Sequence, residues 1–296
     1  MSIDLHIHSV YSDGTYTPAE LVGLAQQRGI QAISITDHDT IDGLAEAAEA
    51  AQGTGITTLA GIELSVQHKN RNLHILGYLF DSQNERFRRQ IHILQETRNA
   101  RNRDIVKKLN SCGISLDIEE IESISKTGQT GRPHIARALC RRGVVKNFDE
   151  AFTRYLKKGA AAYASRFVYN AAEALEMIRE NGGISVLAHP LQVDPSPLEI
   201  ARVVGELVEY GLDGLELYYP THSAKVRRNL KKIAKRYDLV LTGGSDYHGT
   251  IRPGTELAGG KNVYVPAEIV DTMVERQAKL AQRPRPGDAA PLFLEK

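Results

Sequence analysis

The residues best able to do chemistry in this chain are histidines and acids that recur in short clusters. His6-Ile7-His8 opens the series. On a strand, with its period of two, both imidazoles face the same side, a geometry suited to chelating one metal ion. Asp13 follows in Ser12-Asp13-Gly14, then come Asp37-His38-Asp39, Glu63, His74, His189-Pro190 and Asp246-Tyr247-His248. Taken singly, each has an ordinary explanation. An isolated His-x-His is incidental at roughly four to one, an Asp-Gly pair is usually a turn, and His74 beside Leu73 and Ile75 resembles a satisfied core histidine. Asp37 and Asp39 read as partners of the ligands or as a helix cap. Together the set suggests cations about 3.5–4 Å apart, which acidify a bridging water and stabilise in-line displacement at phosphorus. No nucleophilic Ser or Cys is required, and the sequence has no G-x-S-x-G elbow.

The elements that must carry these residues alternate. Ile3 to His8, Ala32 to Thr36, Thr57 to Leu64 and Leu73 to Phe80 read as strands. Thr17-Pro18-Ala19-Glu20 is a capping box with Pro at the first helical position, and its helix runs to Arg28. Thr40 opens a second helix. From Asn84 to about Gly159 only helical segments are expected. Alternation then resumes with helix 170–181, strand 184–188, helix 197–210, strand 213–218, helix 223–237, strand 239–242 and helix 267–282, before a Pro-rich tail from Arg283 that is expected to fray. Repeated βα units predict a parallel sheet or barrel with helices outside. Nearly every cluster then falls at a strand's C-terminal end, where βα barrels build their active sites. The expected division is barrel 1–81, an inserted all-helical cap 82–166, and barrel 167–296.

Composition narrows the class. With 296 residues, 42% hydrophobic and 25% charged, the chain is an ordinary globular sequence and not a disordered one. No apolar run approaches the roughly 20 residues of a membrane span, and the start lacks a secretory signal. Two cysteines, Cys112 and Cys140, make no disulfide framework, so a cytoplasmic location is expected. The net charge of +1 argues against a nucleic-acid-coating protein, but it hides an asymmetry. Residues 82–166 hold 18 basic and 9 acidic residues, a balance of +9, which leaves −8 elsewhere. Such a pairing suggests an anion-binding surface next to a cation-holding site.

The series His6-x-His8, Asp13, Asp37-His38, Glu63, His74, His189-Pro190 and Asp246-x-His248 resembles the PHP (polymerase and histidinol phosphatase) superfamily. The resemblance implies a distorted seven-stranded (β/α)7 barrel and a trinuclear site. It implies a first metal on His6, His8, Glu63 and Asp246, which would also hold the attacking hydroxide. Glu63 would bridge to a second metal on His74 and His189, and Asp13, His38 and His248 would hold a third. Two to three divalent ions are expected, Mn2+ first, with Zn2+ or Fe2+ as alternatives.

Within the insertion, Arg132-Pro133-His134 begins a helix whose free N–H groups would suit an anion. Arg132-x-His134-x-Ala136-Arg137 and Tyr155-Leu156-x-x-Gly159 look like the cap of a PHP subgroup of nucleoside 3′,5′-bisphosphate phosphatases and RNase AM-type 5′-to-3′ exoribonucleases. There the matching residues Arg132, His134 and Lys157 are implied to bind substrate phosphate, and Arg166 joins them as a candidate. Glu216 and His222 read either as leaving-group proton donors or as structural residues. The leading expectation is removal of the 3′-phosphate from a nucleoside 3′,5′-bisphosphate. Exoribonuclease action on 5′-phosphorylated RNA ends, histidinol-phosphate hydrolysis and a non-catalytic metal-binding regulatory module are the alternatives. No membrane and no obligate protein partner is expected.

Overall fold

Short strands of Ile, Leu, Val and Ala that are buried on both faces set the frame, as strands covered by helices require. In the computed structural model, which describes residues 2–125, 127, 129–252, 254–259 and 263–282, the strands are β1 (Ser2–Ile7), β2 (Ala32–Ile35), β3 (Thr57–His68), β4 (Arg71–Tyr78), β5 (Ile184–Leu187), β6 (Gly214–Tyr218), β7 (Val240–Gly243) and β8 (Val265–Pro266). They form one sheet in the order β7-β6-β5-β4-β3-β2-β1-β8. Pairing is parallel through β1, β2 and β3 and again through β5, β6 and β7, while β4 runs antiparallel to both its neighbours. The segment after β7 returns to β1: Ile7 bridges Tyr247, and the His8 N–H donates to the Tyr247 carbonyl at 2.9 Å. That contact nearly closes the barrel. Seven strands match the expected count, and the two-residue β8, antiparallel to β1, is the addition. The tail expected to fray lies outside the described residues.

Helices cover the outside: α1 (Pro18–Gln27), α2 (Leu44–Ala51), α3 (Glu85–Ser111), α4 (Ile118–Glu122), α5 (Arg132–Arg141), α6 (Phe148–Ala151), α7 (Ala171–Glu180), α8 (Pro190–Val193), α9 (Pro197–Glu209), α10 (Ala224–Arg236) and α11 (Ile269–Ala281). α1 begins with the predicted capping box, Thr17 and Glu20 each accepting the other's backbone N–H. α2 starts at Leu44, four residues later than expected, because the Thr40 and Asp42 side chains bond each other and hold a turn. A π-helical turn, Phe152–Leu156, continues α6.

Two strand boundaries differ from the sequence reading. β3 does not stop at Leu64 but runs to His68, and it joins β4 through a hairpin with Lys69 at a φ of 54°. β4 ends at Tyr78, not Phe80, because Leu79 turns the chain out at a φ of 59°. The hairpin register, Ser65 opposite His74, sets these limits rather than the hydrophobic run.

α3 links two bodies of apolar packing. Its first half places Phe87, Ile91 and Leu94 in the barrel core with Leu175, Ile178 and Leu187. Its second half places Ile105, Val106 and Leu109 in a separate cluster with Leu116, Ile121, Ile135, Leu139 and Leu156. Burying one such side chain contributes about 1.5–3 kcal/mol, so the second cluster gives α4 and α5 an apolar anchor of their own. No helix among the described residues is long and apolar enough to cross a membrane.

Candidate metal centre

The fold brings all nine histidines and acids proposed as ligands to one end of the barrel. His6 and His8 lie at the end of β1, His38 just after β2, His189 just after β5, and Asp246 and His248 after β7. Glu63 sits inside β3 and His74 inside β4, so the long hairpin carries two ligands on its walls instead of at strand ends. Asp4, fully buried, ties the two ends of the barrel seam together: it accepts the N–H groups of His6 at 3.2 Å, Ser245 at 2.9 Å and Ala258 at 2.7 Å. The seam needs a glycine. A Cβ on Gly244 would stand 2.4 Å from the His6 backbone N and Cβ. His189 and Asp246 hold φ values of 27° and 52°, backbone strain of the kind that clusters at functional sites.

Glu63 is the hub. Its Oε1 lies 2.9 Å from His74 Nδ1, 2.9 Å from His189 Nε2 and 3.5 Å from His6 Nε2, and its Oε2 lies 2.9 Å from His38 Nδ1 and 3.3 Å from His8 Nε2. Asp246 Oδ1 faces His8 Nε2 at 3.2 Å, His248 Nδ1 at 3.4 Å and His6 Nε2 at 3.5 Å. Asp13 faces His248 at 3.3 Å and His8 at 3.7 Å. Ligand atoms, one per residue, come within 4.8 Å of one another in four overlapping groups. These are His8, Asp13, His38 and His248; His6, Glu63 and His189; His6, His8 and Asp246; and His38, Glu63 and His74.

Several donor atoms at the centre of this cluster are buried without a hydrogen-bond partner: Nε2 of His6, His8 and His248, Nδ1 of His38 and Oε2 of Glu63. Buried polar atoms normally find partners. Five orphans aimed into one space, on imidazoles and carboxylates, fit divalent metal ions. The electrostatics agree. Against burial, the imidazoles of His38, His74 and His6 hold the Glu63 carboxyl well below its usual range, and His6 and His248 do the same for Asp246. Burial pushes His38 down to about 4, although Glu63 and Asp13 pull it the other way. His6 and His8 go the other way. Against burial, Glu216, Glu63 and Asp246 raise His6 well above its usual range, and Asp246 and Glu63 raise His8 to about 9.

The residues from 4 to 181 match the family model of the PHP domain. The chain belongs to the PHP domain family. It is 32% identical to the 5′-3′ exoribonuclease of Haemophilus influenzae, over 92% of this chain and 96% of that one. It is 33% identical to the 3′,5′-nucleoside bisphosphate phosphatase of Chromobacterium violaceum, over 88% and 90%. A solved structure from Bifidobacterium adolescentis, described as a metal-dependent phosphoesterase, superposes with a TM-score of 0.82 at 31% identity, covering 92% of this chain and 95% of that one. This PHP protein is therefore a metal-dependent phosphoester hydrolase, and its imidazole and carboxylate cluster is the site that fits divalent ions.

Behind the candidate ligands stand Glu216, His222 and Asp37, whose roles the sequence reading left open, and Tyr219 and Arg252, to which it gave no role. Glu216 is fully buried, with Oε1 2.8 Å from His6 Nδ1 and Oε2 accepting the His189 N–H at 2.6 Å. Both oxygens are engaged, so Glu216 orients two ligands and is not a leaving-group acid. His222 is also fully buried, with Nδ1 2.9 Å from the Leu217 carbonyl and Nε2 without a hydrogen-bond partner. The Tyr219 hydroxyl donates to Asp246 Oδ2 at 2.8 Å, and the Arg252 guanidinium pairs with the same oxygen. Asp37 accepts from the Ser9 backbone and from the Ser9 and Ser12 hydroxyls, pinning the loop that carries His8 and Asp13.

The phosphate-binding candidates divide. Arg132 is partly buried over the Phe152 ring, with NH1 3.4 Å from the Leu156 carbonyl. The expected free N–H groups at this helix start are fewer than supposed. The His134 N–H bonds the Gly131 carbonyl at 3.0 Å, and the His134 ring accepts the Gly131 N–H through Nδ1 at 3.1 Å. Burial pushes His134 down to about 4, so its ring is neutral with its proton on Nε2. Arg166 and Arg98 both pair with buried Asp39, at 2.5 Å and 2.6 Å. Lys157 is exposed, its N–H bonded to the Phe152 carbonyl at 2.9 Å and its ammonium in no ion pair among the described residues. The residue missed is Arg101. It is 7% exposed, its Nε has no partner, and burial together with the guanidiniums of Arg98, Arg166 and Arg132 pushes it down to about 8.

Proposed function

We propose that this enzyme removes the 3′-phosphate of a nucleoside 3′,5′-bisphosphate, releasing the 5′-monophosphate and inorganic phosphate. The observation that carries the reading is the group of guanidiniums next to His38: Arg98 and Arg166 both pair with buried Asp39, Arg101 is buried with its Nε unpartnered, and Arg132 is partly buried. Four guanidiniums against one carboxylate leave three positive charges unmatched. Residues 82–166 form the cap that supplies this group, and a second phosphate on the substrate completes it.

His6, His8, Glu63 and Asp246 would hold the first ion, Glu63, His74 and His189 the second, and Asp13, His38 and His248 the third; Mn2+ suits this set, as do Zn2+ and Fe2+. When bound, two or three such ions acidify water and offset the charge of the scissile phosphoryl group. The chain's own residues do the rest. Glu216 and Tyr219 fix His6 and Asp246, while Arg101, Arg132, Lys157 and the His134 Nε2–H grip the 5′-phosphate, with Arg166 held beside them by Asp39. Binding energy from that remote phosphate positions the reacting one.

The test compares the manganese-loaded enzyme on a nucleoside 3′,5′-bisphosphate and on the matching 3′-monophosphate, with released phosphate and nucleoside product measured. The bisphosphate should have the higher kcat/KM by about 10–150-fold, the value of one charge-assisted phosphate contact. Equal efficiencies would refute the two-phosphate clamp. Similarity to an exoribonuclease over 92% of this chain supports a second reading, in which a 5′-phosphorylated RNA end uses the same clamp and presents a diester to the metals. Histidinol phosphate carries no second phosphate for the clamp.

A further inference from the structure

We infer that the outward face of α10 is a track for the phosphate backbone of single-stranded RNA, leading away from the metal centre. The inference extends the second reading of the site and is tested by binding, so that each can fail separately.

α10, Ala-Lys-Val-Arg-Arg-Asn-Leu-Lys-Lys-Ile-Ala-Lys-Arg, has seven basic residues in thirteen and no acid, in a chain whose net charge is +1. Leu230, Ile233 and Ala234 face the barrel, while Lys225, Arg228, Lys231, Lys232, Lys235 and Arg236 are exposed. Among the described residues, none of Lys225, Arg228, Lys231, Lys232 and Lys235 forms an ion pair. The neighbouring α9 shows the usual arrangement instead: Arg202 pairs with Glu199 and Glu206, each at 2.8 Å.

This face works against the fold. Positions 225 and 228, 227 and 231, 228 and 232, 231 and 235, and 232 and 236 place like charges three or four residues apart, which destabilises a helix. Lys225 and Arg227 also sit in the first turns, where the helix dipole is already positive. Only the basic residues of the last turn, Lys235 and Arg236, suit the dipole. A charge pattern that the fold opposes on both counts calls for an anion from outside.

The position of the helix says which anion. α10 starts two residues after His222, whose ring lies 5.2 Å from that of Tyr219, and Tyr219 donates to Asp246. Its first turn therefore stands at the rim of the metal centre. The helix then runs about 20 Å along the barrel wall. A polyanion whose end sits at the metals meets this row next. The exposed face carries no large apolar side chain to enter a bilayer or fill a protein pocket, so the contact is to phosphates.

The experiment uses the full chain, kept metal-free with chelator, and a fluorescent 5′-phosphorylated single-stranded RNA of about 12 nucleotides, long enough for several phosphate contacts. Anisotropy is followed across a salt series. The variant Arg228→Gln/Lys231→Gln/Lys232→Gln/Lys235→Gln should bind at least tenfold more weakly. Its slope of log affinity against log salt should shrink by about 3, from four lost contacts on a single strand. Its melting temperature should stay level or rise, because repulsion is relieved, and turnover of a nucleoside bisphosphate should not change. If the fourfold variant does not fold, Lys232→Gln/Lys235→Gln should give about half the slope change. Unchanged RNA affinity and slope would overturn the inference. So would RNA binding that survives while binding to phosphatidylserine vesicles is lost. RNA binding through α10 in a protein that leaves the bisphosphate intact would sustain the inference and remove the phosphatase reading.

Discussion

Glu216→Gln tests whether the metal centre is set from behind its ligands. In the wild type the Glu216 carboxylate takes the His6 Nδ1–H at 2.8 Å and the His189 N–H at 2.6 Å. The first bond fixes the tautomer, so the His6 Nε2 lone pair, 3.5 Å from both the Glu63 and Asp246 oxygens, would be free for a metal ion held with them. Glutamine keeps the shape but has one acceptor and one donor group. Its oxygen can serve only one of the two N–H groups, and its amide faces the other. Losing one buried hydrogen bond to a charged group costs about 1.5–3 kcal/mol, or about 10–150-fold in an equilibrium constant. That loss should fall on metal affinity. Competition of apo-protein against a chromophoric chelator gives the manganese affinity of wild type and variant, and turnover at saturating manganese gives the remaining activity. The expected result is weaker binding within that range, with much of kcat restored by excess metal. Affinity within twofold of wild type, in a folded variant, would refute the reasoning. A large kcat loss at full metal occupancy would place Glu216 at the reacting group instead.

Glu63→Gln should do more damage, since both its oxygens serve imidazoles; metal analysis should show fewer ions per chain, and activity should fall below detection. Arg101→Met should raise KM for the bisphosphate by about 10–150-fold, through one lost phosphate contact, while leaving metal content unchanged and raising the melting temperature as crowding among the arginines is relieved. Asp39→Asn leaves Arg98 and Arg166 buried without their counter-ion, and denaturant titration at pH 7 should show a loss of about 3–5 kcal/mol. Against burial, those arginines depress the Asp39 carboxyl, so its contribution is present above the unfolded value near pH 4 and fades as pH falls through the folded one. Wild type and variant should therefore converge in acid. Gly244→Ala should abolish activity without changing the metal-ligand residues, because its Cβ has no room beside His6; wild-type turnover would refute the seam packing.

The histidines and acids of the cluster were legible because each lies in a local pattern that a single strand or turn explains. A His-x-His on a strand needs no tertiary information, and the chain order of βα units says that the strand ends converge. What could not be read was whatever depends on two distant segments meeting. Glu216 reads equally as a proton donor or a structural acid until β5 and β6 pair and bring it under His189. Glu63 read as a strand end because the hydrophobic run thins after Leu64, yet pairing with β4 carries the strand on to His68. Arg101 did leave a signal. Phe87, Ile91, Leu94, Arg98, Arg101, Ile105 and Leu109 fall on one helical stripe, and all are buried. Two arginines on an apolar stripe ask for an anion as plainly as a histidine pair asks for a metal. The charge count of residues 82–166 registered their sum but not their place.

The tripeptide Asp37-His38-Asp39 explains how the two halves of the charge asymmetry are kept apart and yet joined. Asp37 points back into the barrel and holds the loop of His8 and Asp13 through Ser9 and Ser12. His38 stands between, 2.9 Å from Glu63. Asp39 points the other way, to Arg98, Arg166 and the Ser65 N–H. To face its partners, Asp39 takes a φ of 55°, a conformation that aspartate tolerates better than most residues. Cations held on one side and an anion held on the other would then share one rigid turn, so the distance between a metal-bound phosphate and a clamped one is set by three consecutive residues. That arrangement favours a substrate whose two phosphates have a fixed separation, as the 3′ and 5′ positions of one ribose provide.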